Sequence, residues 1–91
     1  MTVLSAKLTF YIPHAQSLKD KRTVARGLID KTRHKYNISI AEVDTQDAHQ
    51  TLTLGIAVVS GEHSHAQKML NDITRFMESM ADAELISVTE E

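Results

Sequence analysis

An α+β sandwich is the fold class this sequence predicts: a four-stranded antiparallel sheet with two helices on one of its faces. Three observations predict it. Residues 3–12 and 51–59 alternate apolar and polar side chains with period two, which marks half-buried strands. Ala66, Met69, Leu70, Ile73, Phe76, Met77 and Met80 fall within an arc of about 120° on a helical wheel. The periods follow one another as strand, helix, strand, strand, helix, strand across 91 residues, a length that suits one small domain. Residues 1–91 are therefore expected to form a single domain.

The first strand covers residues 3–12. Leu4, Ala6, Leu8, Phe10 and Ile12 lie on one side, and Val3, Ser5, Lys7, Thr9 and Tyr11 on the other. Pro13, which has no N–H to give to a ladder, ends it. Ser17 with Asp20 three residues on resembles a capping box, with Asp in place of Glu. A helix is predicted from Leu18 to Tyr36, with Leu18, Ala25, Leu28, Ile29 and Tyr36 inward, Val24 at the margin and Asn37 as its stop. Residues 38–43 read as a second strand whose imperfect alternation suggests a bulge. The polar stretch Asp44–Gln50 leads to the third strand, where Leu52, Leu54, Ile56 and Val58 alternate with Thr51, Thr53, Gly55, Ala57 and Val59. Ser60-Gly61 opens the second helix. A short last strand covers about 84–89, and Glu90-Glu91 are expected to fray. This order, β-α-β-β-α-β, is that of a ferredoxin-like two-layer sandwich.

Composition narrows the function classes. There is no Cys, so neither a disulfide framework nor thiolate chemistry is expected. Lys7 interrupts the N-terminal apolar stretch, and the longest apolar run, near Ile56–Val59, is far shorter than the roughly 20 residues of a membrane span. A cytoplasmic location is the expectation, with no membrane partner. Gly27, Gly55 and Gly61 are isolated, so no phosphate-binding glycine loop exists. His63 and His65 diverge on a helix, and no carboxylate completes a ligand set with them. No metal, cofactor or catalytic residue is expected.

The net charge of −2 conceals a split. Ser17–Tyr36 holds seven basic and two acidic residues, a net of +5, and the remainder carries −7. Lys19, Arg22, Arg26 and Arg33 lie within about 60° on the helical wheel. With Lys21 they form a candidate stripe for a phosphate backbone or an acidic protein surface. The plainer alternative is a solvated helix face, partly neutralised by Asp30.

Topology supplies a second candidate. The loop after the first strand and the hairpin loop between the second and third share one end of the sheet. That end should gather His14, Ser17, Lys19 and Arg22 near Asp44, Gln46, Asp47 and His49. A helix N-terminus favours anions, and His beside carboxylates suits acid–base work. The alternative is turn chemistry, with Asp44 or Asp47 ordering the loop and pairing with a cation of the first helix. The sheet face away from the helices is left to Ser5, Lys7, Thr9, Tyr11, Ser39, Ala41, Thr51, Thr53, Gly55, Ala57 and Val59. Only Tyr11 could stack a base there, so the aromatic RNA-binding mode of such sheets is rejected. Packing against a second copy, or plain solvation, remain open for this face.

Three stretches, SLKDKR (Ser17–Arg22), AEVDTQD (Ala41–Asp47) and LGIAVVS (Leu54–Ser60), together resemble the YlxP-like family of small bacterial proteins, a domain of unknown function. The resemblance covers nearly the whole chain. It implies a ferredoxin-like domain in the bacterial cytoplasm. It also implies a link to ribosomes or RNA, because members tend to be encoded beside translation-initiation and ribosome-maturation genes. It brings no catalytic residue or cofactor, but points to Ser17, Leu18, Lys19, Asp20, Lys21, Arg22, Glu42, Asp44, Gln46 and Asp47.

The reading from sequence is thus a non-catalytic binding module whose basic first helix meets ribosomal RNA or a ribosome-associated protein. One alternative is a homodimeric small-molecule-binding or regulatory domain that uses the open sheet face. The other is a small enzyme using the Ser17/Lys19/Asp47/His49 end. Ferredoxin-like acylphosphatases rely on a glycine-rich loop after the first strand, which PHAQS (Pro13–Ser17) is not.

Overall fold

The two alternating segments become the central strands of one sheet in the computed structural model, which describes residues 1–80 and 82–91. In chain order the elements are β1 (Thr2–Tyr11), α1 (Leu18–Lys35), β2 (Ser39–Asp44), β3 (Thr51–Ser60), α2 (His63–Glu78) and β4 (Glu84–Glu90). The sheet order is β2-β3-β1-β4 with every neighbouring pair antiparallel. This is the predicted β-α-β-β-α-β sandwich. β1 and β3 pair over ten residues, from Thr2 with Ser60 to Tyr11 with Thr51. That register places Leu8 opposite Leu54 and Ala6 opposite Ile56, so both apolar sets share one face.

α1 and α2 cover that face. Leu8, Phe10, Leu52, Leu54, Ile73 and Met77 are fully buried in the core between the layers. α2 rests on β1 and β3, and α1 leans towards the β2 edge. β4 therefore has little cover: Val88 pairs with Leu8 on the helix side of the sheet yet stays exposed.

Both edge strands are bulged. The register of β2 against β3 shifts between Glu42 and Asp44, as the broken alternation predicts. A second shift, at Thr9/Phe10 against β4, has no counterpart in the sequence reading. Bulged edges pair poorly with a foreign strand. The expected fraying of Glu90-Glu91 is corrected. Glu90 pairs with Ala6, the Glu91 N–H donates to the Ser5 carbonyl at 3.0 Å, and Lys7 Nζ lies 3.5 Å from Glu91 Oε1. Ladder bonds and one cation hold the acidic end down.

Helix α1 begins as predicted at Ser17, whose hydroxyl accepts from the Asp20 N–H at 3.1 Å. The return bond is displaced by one residue: Asp20 Oδ2 accepts from the Gln16 N–H at 2.9 Å, not from the N-cap itself. The buried side of α1 is Lys21, Ala25, Leu28 and Thr32. Two of these four are polar, and both are satisfied. Thr32 Oγ1 donates to the Leu28 carbonyl at 2.7 Å, the bond a helical threonine makes to its preceding turn.

Candidate functional site

The basic residues of α1 separate into distinct surroundings. Lys21 does not belong to the surface stripe assigned to it from sequence. It is only 1 % exposed, because at helical spacing it falls between Leu18 and Ala25 on the inward side. Its Nζ donates to the carbonyls of Thr45 at 2.6 Å, Thr51 at 3.1 Å and Gln46 at 3.4 Å. It also lies 3.0 Å from Glu42 Oε2, a buried oxygen with no other polar partner. Burying an ammonium is costly unless it is paired and hydrogen-bonded, and here a carboxylate and three carbonyls surround it. Lys21 thus fastens α1 to the β2–β3 hairpin. The same bonds steady Thr45, whose φ of 59° places a β-branched residue in the left-handed region. The Thr45 hydroxyl helps by lying 2.6 Å from the Asp44 carbonyl as donor and 3.1 Å from Thr53 Oγ1.

The other six cations of α1 form no salt bridge among the described residues. Arg33 Nη2 donates to the Ile40 carbonyl of β2 at 2.9 Å, which fixes the stripe's direction towards the β2 edge. Lys35 Nζ sits 4.6 Å from the centroid of the Phe76 ring, a cation–π contact. Lys19, Arg22, Arg26 and Lys31 are exposed and meet no polar side-chain partner among the described residues. Asp30, expected to neutralise Arg26 and Arg33, lies beyond ion-pairing distance of both. Lys19, Arg22 and Arg26 thus remain as a solvent-facing row with Arg33 at its end.

The loop end is assembled differently from the sequence expectation. The two loops do meet: the Ile12 N–H donates to the Gln50 carbonyl at 2.9 Å, and Gln50 Nε2 to the Pro13 carbonyl at 3.1 Å. The side chains proposed for chemistry do not. Ser17 is spent on capping α1. Asp44 faces the open side of the sheet and binds Lys7 at 2.9 Å rather than a cation of α1. Lys7 is held above its ordinary pKa chiefly by that Asp44 hydrogen bond, and further by the charges of Asp44 and Glu91. Gln46 contributes its carbonyl, and Asp47 and His49 are exposed without a hydrogen bond to Ser17 or Lys19. His14 turns the other way, lining a small cavity with Pro13, Asp82, Ala83 and Glu84. No group of three or more metal-ligating side chains occurs among the described residues.

The residue that sequence reasoning misplaced is therefore Lys21, and the partner it overlooked is Glu42. Signals for both existed. Lys21 lies on the apolar arc of α1. Glu42, two residues from Ile40, lies on the core side of β2.

Two comparisons with known proteins bear on this arrangement. A family model described as "Protein of unknown function (DUF503)" matches residues 3–90. The Bacillus subtilis (strain 168) protein described as "Uncharacterized protein YlxP" is 36 % identical over 70 residues, which is 77 % of this chain and 76 % of that one.

Proposed function

The chain belongs to the DUF503 family, and from that premise we propose that it is a non-catalytic module that docks RNA by its phosphate backbone through α1. One observation carries the reading. Lys19, Arg22 and Arg26 stand in a row on the exposed flank of α1, and no carboxylate among the described residues forms an ion pair with them. Unpaired cations in a fixed row form an electrostatic footprint for a polyanion. The rest of the molecule carries the compensating negative charge, which orients the approach. The open sheet face supports the choice of surface, since it displays Asp44, Glu84 and Glu91 and a single aromatic, Tyr11. Base stacking on the sheet is therefore no part of the reading.

Salt dependence supplies the test. Three phosphates neutralised by Lys19, Arg22 and Arg26 give a slope of log K against log salt between about −2.1 and −2.7. Affinity for ribosomes or ribosomal RNA then falls about 20- to 40-fold between about 50 and 200 mM salt. Lys19→Glu, Arg22→Glu and Arg26→Glu together should abolish co-sedimentation with ribosomes. They touch no core side chain, so the circular dichroism spectrum should be unchanged. Co-sedimentation that survives the triple variant refutes the reading, as does a wild-type protein that never leaves the supernatant.

A further inference from the structure

A two-layer sandwich leaves one sheet face uncovered, and here that face carries a group of exposed apolar side chains. Val3, Tyr11, Val43 and Val59 are four of the seven large apolar side chains that remain exposed, and all four lie on the open side. The register sets Val3 opposite Val59, 55 % and 61 % exposed, with Ala57 beside them. Val43 joins them by leaning over Gly55 from the bulge in β2. A Cβ on Gly55 would lie 2.9 Å from Val43 Cγ1. We infer that this face seats a second copy of the same chain, sheet against sheet, with the Val3–Val59 pair inside the contact.

Three observations select a second copy. The only charge on the open side of the two central strands is Lys7, and its own chain neutralises it through Asp44 at 2.9 Å and Glu91 at 3.5 Å. Two such faces therefore meet at their centres without like charges opposed. Glu84 and Glu91 belong to the β4 edge and its end, where they form a rim that repels polyanions. The area is adequate. Strands of ten, six, ten and seven residues, at about 3.3 Å per residue and about 4.8 Å apart, make a face of roughly 520 Å². Two copies then bury about 1,000 Å², the area a specific protein–protein contact has to reach. Ser5 and Thr9, half-buried on this face, supply hydroxyls that tolerate trapped water.

Both helices lie on the opposite side of each sheet, so the pairing leaves the α1 row exposed on both copies. It stands apart from the RNA reading, and either can fail alone. Sedimentation equilibrium of the full chain between about 10 and 300 µM decides the matter, with an expected dimer dissociation constant at or below about 100 µM. Val59→Glu should weaken the dimer at least tenfold. Val88→Glu, also at an exposed valine but on the helix side of β4, should leave it unchanged. Thermal melts of each variant verify folding. A monomer throughout the range overturns the inference. So does a Val88→Glu effect as large as that of Val59→Glu.

Discussion

Replacing Lys21 by Met keeps the buried stem and removes the ammonium. The consequences follow from its four partners. The Thr45 carbonyl still accepts from the Ala48 N–H at 3.1 Å, whereas the Thr51 carbonyl keeps only a 3.3 Å approach to the Thr45 hydroxyl, whose one proton goes to the nearer Asp44 carbonyl. Glu42 Oε2 has no replacement. Removing one partner of a buried pair costs about 3–5 kcal/mol. The Glu42 side chain keeps a quarter of its surface in water, which places the loss near the lower figure, about 3 kcal/mol. For a chain of this length that lowers the melting temperature by roughly 12–24 °C. Urea titration followed by far-ultraviolet circular dichroism measures it. The companion variant, Lys21→Met with Glu42→Leu, replaces the pair with apolar side chains and should recover most of the stability. The two residues should therefore couple by at least about 2 kcal/mol in a double-mutant cycle. A single-variant loss under about 1 kcal/mol would falsify the structural role given to Lys21. So would a double variant no better than the single.

Gly55→Ala drives a methyl group against Val43 Cγ1 and should cost about 1 kcal/mol; in a Val43→Ala background the sign should reverse, and equal costs in both backgrounds would exclude the proposed clash. Asp72 on α2 is held below its ordinary carboxyl pKa chiefly by the Lys68 hydrogen bond; desolvation opposes this, and Arg75 adds to the lowering. Its stabilising effect is therefore present at neutral pH and disappears as pH falls through the depressed value; Asp72→Asn should flatten that part of an acid titration. The raised pKa of Lys7 has the opposite sense. Its contribution is complete below the ordinary lysine range and fades only in strong alkali, so Lys7→Met should narrow the alkaline limb of the stability profile and leave the acid limb as it was.

The fold was legible because its strongest signals are local periods. The alternations in β1 and β3, the α2 arc and the Ser17 cap each reflect burial or hydrogen bonding within a few residues. The Val43 bulge was legible for the same reason. The bulge opposite Thr9 was not, because it arises from how β4 meets β1 across most of the chain's length. The stripe Lys19, Arg22 and Arg26 was legible as an angular cluster. Lys21 shares the basic run in sequence but not the angle of the stripe. The wheel alone places it with Ala25 and Leu28. The core-side place of Glu42 is legible too, but its pairing with Lys21 follows only once α1 is laid on the β2–β3 hairpin. The loop-end candidates fared differently again. Topology brings the two loops together, but turn direction decides the side chains, and His14 and Asp44 leave on separate faces.

The enclosure of Lys21 also gives the molecule an internal gauge of its own opening. Amine-reactive reagents modify the exposed lysines of α1, Lys19, Lys31 and Lys35, in the native state. Lys21 reacts only when α1 lifts from the hairpin or the chain unfolds. Its labelling rate, read by mass spectrometry against those neighbours, reports the free energy of that local opening. A ligand that clamps α1 in place would then register as slower labelling at a lysine it never touches.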